Sequence, residues 1–234
     1  MCGRIALASA PHELAERFFL DEIPELMPRY NIGPGQDIPV VVPNPQTEGR
    51  LVRLLKWGLE PPWQQGRPVT TRLFNARGET VLEKPVFRES FLQRRCLVPV
   101  DGFFEWQKRP DGRQPFYFSA KDRKPMALAG IWETREYPGG HRVGSCSILT
   151  VAANSLMRPV HHRMPVILPE ADWKFWLDLP REKTETLLSL LKPLPAELLQ
   201  SWPVSREVNR SDCDDPHCVE PVWDDRGGQL NLFS

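Results

Sequence analysis

Helical and strand-like spacings of apolar residues alternate along this chain without a regular rhythm. Residues 11–19 read as a short amphipathic helix. Residues 38–42 and 51–57 are apolar runs separated by a Pro/Asn/Gly turn and predict two strands. Residues 80–95 have helical periodicity interrupted by Pro85. A β-rich stretch follows, with strands predicted over 96–100, 103–107, 116–119, 126–132 and 147–152 and turn signals at Pro110-Asp-Gly112 and Pro138-Gly-Gly140. Residues 166–168 add a further strand, and helices resume over 169–179 and 181–191. Many strands flanked by several helices predict an α+β single domain whose sheets are mainly antiparallel.

A chain of 234 residues can bury a substantial core, and 41% hydrophobic with 26% charged residues is ordinary for a soluble globular protein. No apolar run approaches the ~18 residues of a membrane-spanning helix, and there is no basic-then-apolar signal peptide, so a cytoplasmic protein is expected. The net charge is zero, but residues 207–225 hold seven acids against one base, so the remainder has six more basic than acidic side chains. That surplus allows a basic groove on the body. It also marks residues 210–234 as an acidic tail following a domain of residues 1–209.

The five cysteines are odd in number and scattered, which argues against a disulfide framework and permits a reactive thiol. The chain begins Met1-Cys2-Gly3-Arg4. A small second residue suits removal of the initiator methionine, leaving an α-amine and a thiol together on Cys2. Such a 1,2-aminothiol attacks an aldehyde through nitrogen, loses water to an imine, and is trapped by its own sulfur as a five-membered thiazolidine. Glutamine amidotransferases with a processed N-terminal cysteine offer a rival reading, in which sulfur is the nucleophile and the α-amine its base. A non-covalent single-strand DNA-binding module, with Cys2 incidental, is a third.

Further segments separate these readings. Arg29-Tyr-Asn-Ile-Gly-Pro-Gly35, Phe74-Asn-Ala-Arg-Gly-Glu-Thr80, Val100-Asp-Gly-Phe-Phe-Glu-Trp106 and His161-His-Arg-Met-Pro165 follow Met1-Cys-Gly-Arg4 in order. Trp57-Gly-Leu-Glu-Pro-Pro-Trp63 and Val204-Ser-Arg-Glu-Val-Asn209 fit the same pattern. Together they resemble the SOS-response-associated peptidase family, the abasic-site processing proteins. The resemblance implies a barrel-like sheet core flanked by helices, a basic cleft for single-stranded DNA, and covalent crosslinking to an abasic site through the N-terminal cysteine. It implies no cofactor and no metal. The family's peptidase label implies autoproteolytic removal of Met1, and an imine intermediate implies weak lyase activity. An N-terminal-cysteine amidohydrolase or peptidase on a non-DNA substrate is the alternative.

Carried over by matching position, the resemblance makes Cys2, Asn75, Glu105 and His161 catalytic. Asn75 has an amide that donates and accepts at once. Glu105, a carboxylate within an aromatic strand, is suited to moving protons during imine formation. On an alternating strand Phe103 and Glu105 share one face, and Phe104 and Trp106 the other. His161 is suited to opening the deoxyribose ring; His162 stands where the family pattern often has an acid, leaving open which ring acts. Arg4, Arg77 and Arg163 are read as phosphate ligands, Trp57 and Trp63 as base-stacking residues of which at least one belongs to the core, and Asn31 and Pro34 as a loop approaching the DNA backbone.

Cys213-Asp-Asp-Pro-His-Cys218 offers two thiols and an imidazole, yet no second ligand cluster at zinc-finger spacing, so a solvated acidic loop is expected. Cys96 and Cys146 sit in apolar strands and are expected in the core. Residues 227–234 end in Gln229, Leu230, Leu232 and Phe233, and Gln-Leu-x-Leu-Phe looks like the peptide by which bacterial DNA-handling proteins dock on the replicative sliding clamp. A monomer acting at replication forks is the simplest expectation.

Overall fold

The computed structural model describes residues 2–63 and 73–222. In chain order its elements are β1 (Ile5–Leu7), α1 (Pro11–Phe18), β2 (Arg29–Ile32), β3 (Asp37–Pro43), β4 (Arg50–Trp57), β5 (Asn75–Arg77), α2 (Pro85–Gln93), β6 (Arg95–Val100), β7 (Gly102–Arg109), β8 (Gly112–Ala120), β9 (Met126–Glu136), β10 (Arg142–Ala152), β11 (Arg163–Pro165), β12 (Ile167–Leu168), α3 (Trp173–Asp178), α4 (Thr184–Ser189) and β13 (Leu199–Pro203). No helix among the described residues is long and apolar enough to cross a membrane.

Two sheets result, and the fold is α+β as expected. One runs β13-β8-β7-β1-β2. The other runs β11-β10-β4-β3-β6-β9-β12, and because β10 also pairs with β9, strands β10, β4, β3, β6 and β9 close into a barrel. Closure uses one parallel contact, β10 with β4; the other pairings in the ring are antiparallel. A closed ring has no free edge, which removes the unpaired backbone groups that an open sheet exposes. The ring needs room inside at Gly130, where a Cβ would lie 2.7 Å from the Cys96 sulfur. Cys96 and Cys146 are fully buried, as expected.

The helices seal the sheets. Helix α1 buries Leu14 and Phe18, and Phe18 stacks on Trp173 of α3 with ring centroids 4.7 Å apart. Full burial of such a side chain contributes about 1.5–3 kcal/mol. The predicted helix over 80–95 is broken in two: a 3-10 turn at Gly78–Thr80, then α2 from Pro85. Proline lacks an amide proton and suits a first helical turn but not an interior, which is why the break falls there. At the far end of α2, buried Arg95 donates to the carbonyls of Phe91 (2.9 Å) and Leu92 (2.7 Å), and to those of Trp176 (2.6 Å) and Leu179 beyond it. A buried cation is thus neutralised by the negative C-terminal ends of two helices.

Five short strands, β1, β2, β5, β11 and β13, lie outside the expected pattern, and the expected boundary at residue 209 does not coincide with the end of packing. Residues 210–222 fold back onto β1 and β2. Cys218 is 1% exposed in an apolar cluster with Ala6, Phe104, Tyr117, Val204 and Val208. The Asp214 carboxylate accepts from the backbone amides of Tyr30 (2.6 Å) and Asn31 (2.9 Å) and pairs with Arg29. The expected solvated acidic loop at 213–218 is therefore a packed strap, because one of its acids, Asp214, satisfies two backbone donors on β2 and Cys218 is buried.

Gly102 shows how close the second sheet is packed. A Cβ there would lie 2.3 Å from the Tyr117 ring and 2.5 Å from the Phe118 carbonyl oxygen, backbone that cannot yield. Gly102→Ala is expected to destabilise the fold by about 1–3 kcal/mol through overpacking. Chemical denaturation of the two proteins, compared by midpoint at unchanged slope, checks this.

Candidate active site

Four elements from both sheets meet around Cys2. The backbone of residues 2–4 leads into β1, which pairs with β7 through Ile5 and Phe103, and the Phe104 amide donates to the Arg4 carbonyl at 2.9 Å. The first residues therefore run alongside the part of β7 that carries Glu105. Strand β5 lies parallel to β10 and presents Asn75, whose Nδ2 donates to the Cys2 carbonyl at 2.7 Å. Strand β11, paired antiparallel to β10, holds the segment containing His161. Asn75 is thus the first residue of β5.

Alternation along β7 sorts its side chains as expected. Phe103 joins the main core, stacked on Phe118 at 5.3 Å, while Phe104 and Trp106 pack in the outer cluster under the strap. Glu105 lies on the Phe103 face and is 3% exposed. His161 Nδ1 is 3.8 Å from Glu105 Oε1, an electrostatic contact when the ring is protonated and too long for a hydrogen bond. The same Nδ1 lies 3.0 Å from the Arg163 backbone amide and 3.1 Å from the Arg163 carbonyl, so it accepts from the first or donates to the second according to tautomer. His162 stacks on His161 with centroids 4.4 Å apart, and the neighbouring ring pushes the His162 pKa down.

Cys2 is fully buried. Burial pushes its thiol well above the ordinary range, and the Glu105 carboxylate pushes the same way. The Arg4 backbone amide acts weakly against them. Asn75 Oδ1 is buried and accepts no hydrogen bond among the described residues, an arrangement that costs about 1–3 kcal/mol if no donor arrives. The site therefore holds a protonated thiol, a carboxylate beside an imidazole, and an amide oxygen awaiting a donor.

Several residues expected to touch DNA are committed elsewhere. Trp57 is fully buried and donates its indole N–H to the Phe74 carbonyl at 2.9 Å, so it is core and cannot stack on a base. Asn31 is 1% exposed, and its amide donates to the carbonyls of Val208, Arg210 and Cys213 while its oxygen accepts from Arg4 at 2.6 Å. It holds the strap rather than a DNA backbone. Arg163 forms a two-pronged pair with Glu79 (2.6 and 2.9 Å) and donates to the Thr150 carbonyl at 2.6 Å. That clamp ties the Arg163 side chain to the start of the backbone segment that carries His161. Arg4 likewise spends one nitrogen on Asn31 and Val208, and burial pulls its pKa down. Arg77 is exposed at the end of β5, Trp63 is 56% exposed, and Pro34 is half-buried, so these three stay accessible.

Three acids were not singled out from the sequence. Glu79 lies within the Phe74–Thr80 segment, but its partner is 84 residues away. Asp101 accepts from the amides of Ala8 (2.5 Å) and Ser9 (2.9 Å), fixing the turn between β1 and α1. Asp214, one of the tail acids, accepts from the Tyr30 and Asn31 amides. Met1 and the segment containing Gln229, Leu230, Leu232 and Phe233 lie outside the described residues.

A family model described as SOS response associated peptidase matches residues 1–211. The abasic site processing protein YoqW of Bacillus subtilis is 36% identical over 224 residues, covering 94% of this chain and 99% of that one. Abasic site processing protein HMCES of Gallus gallus is 33% identical, covering 83% of this chain and 66% of its own length. A solved protein from Bacteroides thetaiotaomicron superposes with a TM-score of 0.84 at 27% identity, covering 95% of this chain and all of that one (100%).

Proposed function

Because this chain belongs to the SOS response associated peptidase family, we propose that it processes abasic sites by capturing them covalently in single-stranded DNA through Cys2. The observation that carries the reading is Cys2 held through its carbonyl by Asn75, with Glu105 and His161 converging beside it. Relatives at 33–36% identity bear the name abasic site processing protein, which supports the lesion as the target.

The chemistry follows from removal of Met1, which frees the Cys2 amine. His161 hands a proton to the sugar ring oxygen and regains one from the C1 hydroxyl as the ring C–O bond breaks, opening the lesion to its aldehyde. The amine attacks the aldehyde carbon while Glu105 takes its proton, and Asn75 Oδ1 receives an N–H that orients it. Glu105 hands that proton to the carbinolamine oxygen, and the second N–H proton follows by the same route as water leaves, giving a neutral imine. The Cys2 S–H then adds across it, sulfur to carbon and proton to nitrogen, closing a thiazolidine with one water lost overall. Nitrogen leads because burial disfavours the thiolate. Without a thiol the imine persists and β-elimination gives lyase activity.

Arg77, Trp63 and Pro34 are the accessible positions proposed to meet DNA. Stacking on Trp63 would be worth about 1–3 kcal/mol per base. Residues 229–233 are read as a clamp-docking peptide that raises the local concentration of the protein at forks. Deleting residues 229–234 is expected to abolish binding to an isolated sliding clamp while leaving adduct yield unchanged; equal clamp affinity before and after deletion refutes the docking role.

Incubation with single-stranded DNA bearing one abasic site tests the central reading. Denaturing electrophoresis should show a shifted species whose intact mass equals protein plus DNA minus one water. No such species from a chain shown by mass to begin at Cys2 would return the amidohydrolase to first place.

A further inference from the structure

The strap of residues 210–222 carries a feature that the proposed reaction does not use. Cys213 precedes the 3-10 turn Pro216–Val219, Cys218 lies within it, and their sulfurs are 3.3 Å apart. A disulfide needs about 2.05 Å, so a side-chain shift of roughly 1 Å would join them. Cys213 is half-buried and can meet a reagent, whereas Cys218 is enclosed in the outer apolar cluster. Cys2, Cys96 and Cys146 are all fully buried. The pair is therefore chemically distinct from every other thiol in the protein.

The position of the pair decides what joining it would do. The Cys213 carbonyl accepts from the Asn31 amide at 2.5 Å, and Asn31 in turn holds Arg4 at 2.6 Å, two residues from Cys2. The adjacent Asp214 covers the Tyr30 and Asn31 amides. In the reduced protein the strap stays on β2 and β1 through hydrogen bonds, the Arg29–Asp214 pair and the buried Cys218 side chain.

We propose that Cys213 and Cys218 form a reversible disulfide that locks this strap against the edge of the sheet on which the N-terminal residues lie. The oxidant is a low-molecular-weight disulfide of the glutathione class. The two cysteine S–H bonds break and one S–S bond forms; the oxidant's S–S bond breaks, and it takes both electrons and both protons to leave as two thiols. Cys213, the accessible sulfur, takes the mixed disulfide first, and Cys218 displaces the small thiol. The hydrogen bond shared with Cys218 pushes the Cys213 thiol up to about 12, so few molecules present a thiolate and exchange is slow. Asp215 and Cys218 also surround Cys213 with oxygen and sulfur within 4.8 Å, a set of three that a soft divalent cation could share. The sulfur contact favours the disulfide, since two zinc-bound thiolates at ~2.3 Å from a tetrahedral metal stand farther apart than this.

The proposal is independent of the DNA reading. The full chain is equilibrated for hours with oxidised or reduced glutathione, quenched with an alkylating reagent under denaturing conditions, and examined by intact mass and peptide mapping. The expected result is loss of two hydrogens and of two alkylation sites, both within the peptide containing residues 213–218. Closing so short a loop should raise Tm by about 4–8 °C over the reduced protein. Cys213→Ser, at a half-exposed position, should lose both the mass change and the shift; Cys218→Ser serves as the second variant if it folds. Full alkylation of both cysteines at the oxidising ratio overturns the proposal. So does a persistent glutathione adduct without ring closure, or stoichiometric zinc that protects both thiols in the protein as purified.

Discussion

Cys2→Ala is expected to reduce denaturation-resistant retention of abasic single-stranded DNA by about 100-fold or more, with fold and melting behaviour little changed. The size follows from intramolecular trapping. Once the imine forms, the sulfur is tethered next to the electrophilic carbon, and such tethering is worth effective molarities of about 10⁵–10⁸ M. Alanine keeps the amine and loses the trap, so the imine either hydrolyses or eliminates. Strand cleavage should therefore rise in Cys2→Ala as adduct falls, and Cys2→Ser should behave similarly because a hydroxyl adds poorly to an imine. The two products are read from one denaturing gel. Equal adduct in wild type and both variants would place the covalent bond elsewhere. The buried thiol adds a second expectation. Since burial and Glu105 hold it protonated, alkylation of Cys2 in the folded protein should be slow near neutral pH and accelerate only well above the ordinary thiol range. The same shift weakens the fold at high pH: the folded state keeps the proton that the unfolded chain gives up, so this contribution is full below the ordinary thiol pKa and declines above it.

Glu105→Gln is expected to slow adduct formation by about 10²–10⁴-fold, the usual worth of a positioned proton-transfer group. The substitution keeps shape and burial, so DNA affinity measured without chemistry should hardly move. Imine formation needs a proton removed from the attacking amine and another delivered to departing water, and a glutamine does neither. Single-turnover rates at saturating DNA separate this from a role in binding. If the rate constant is unchanged and only half-saturation shifts, Glu105 acts through charge on DNA rather than on the reacting atoms. Loss of the His161 contact also removes a partner for the protonated ring, so the dependence of rate on pH should change in shape as well as height.

Much of the core was legible because its signals are local. The helix at residues 11–18 buries one face, and β3 and β8 to β10 carry continuous apolar runs buried on both faces, so these segments stand out without knowledge of partners. Phe103, Glu105 and their neighbours divided between two faces as a period of two requires. Strands of three to five residues, such as β1, β2, β5, β11 and β13, were missed or read as loops. So short a segment carries no period of its own; it becomes a strand when a neighbour supplies hydrogen bonds.

The chemistry of the N-terminus was equally local, since an amine and a thiol on one residue dictate how an aldehyde would be trapped. What the sequence could not rank was the group of polar residues lying next to one another in its motifs. Arg163 and His161 are two residues apart, yet one is spent on Glu79 and Thr150 and the other faces Glu105. Trp57 and Trp63 bracket one segment, yet one is core and one exposed. Asp214 and Cys218, read as solvated tail, seal the outer cluster. Periodicity and residue chemistry determine which side chains an element turns inward and what each is able to do. Which of them is already satisfied depends on partners brought across dozens of residues by the closure of the barrel and the return of the strap. Only tertiary structure supplies those partners, and a polar group already paired is not available to a ligand.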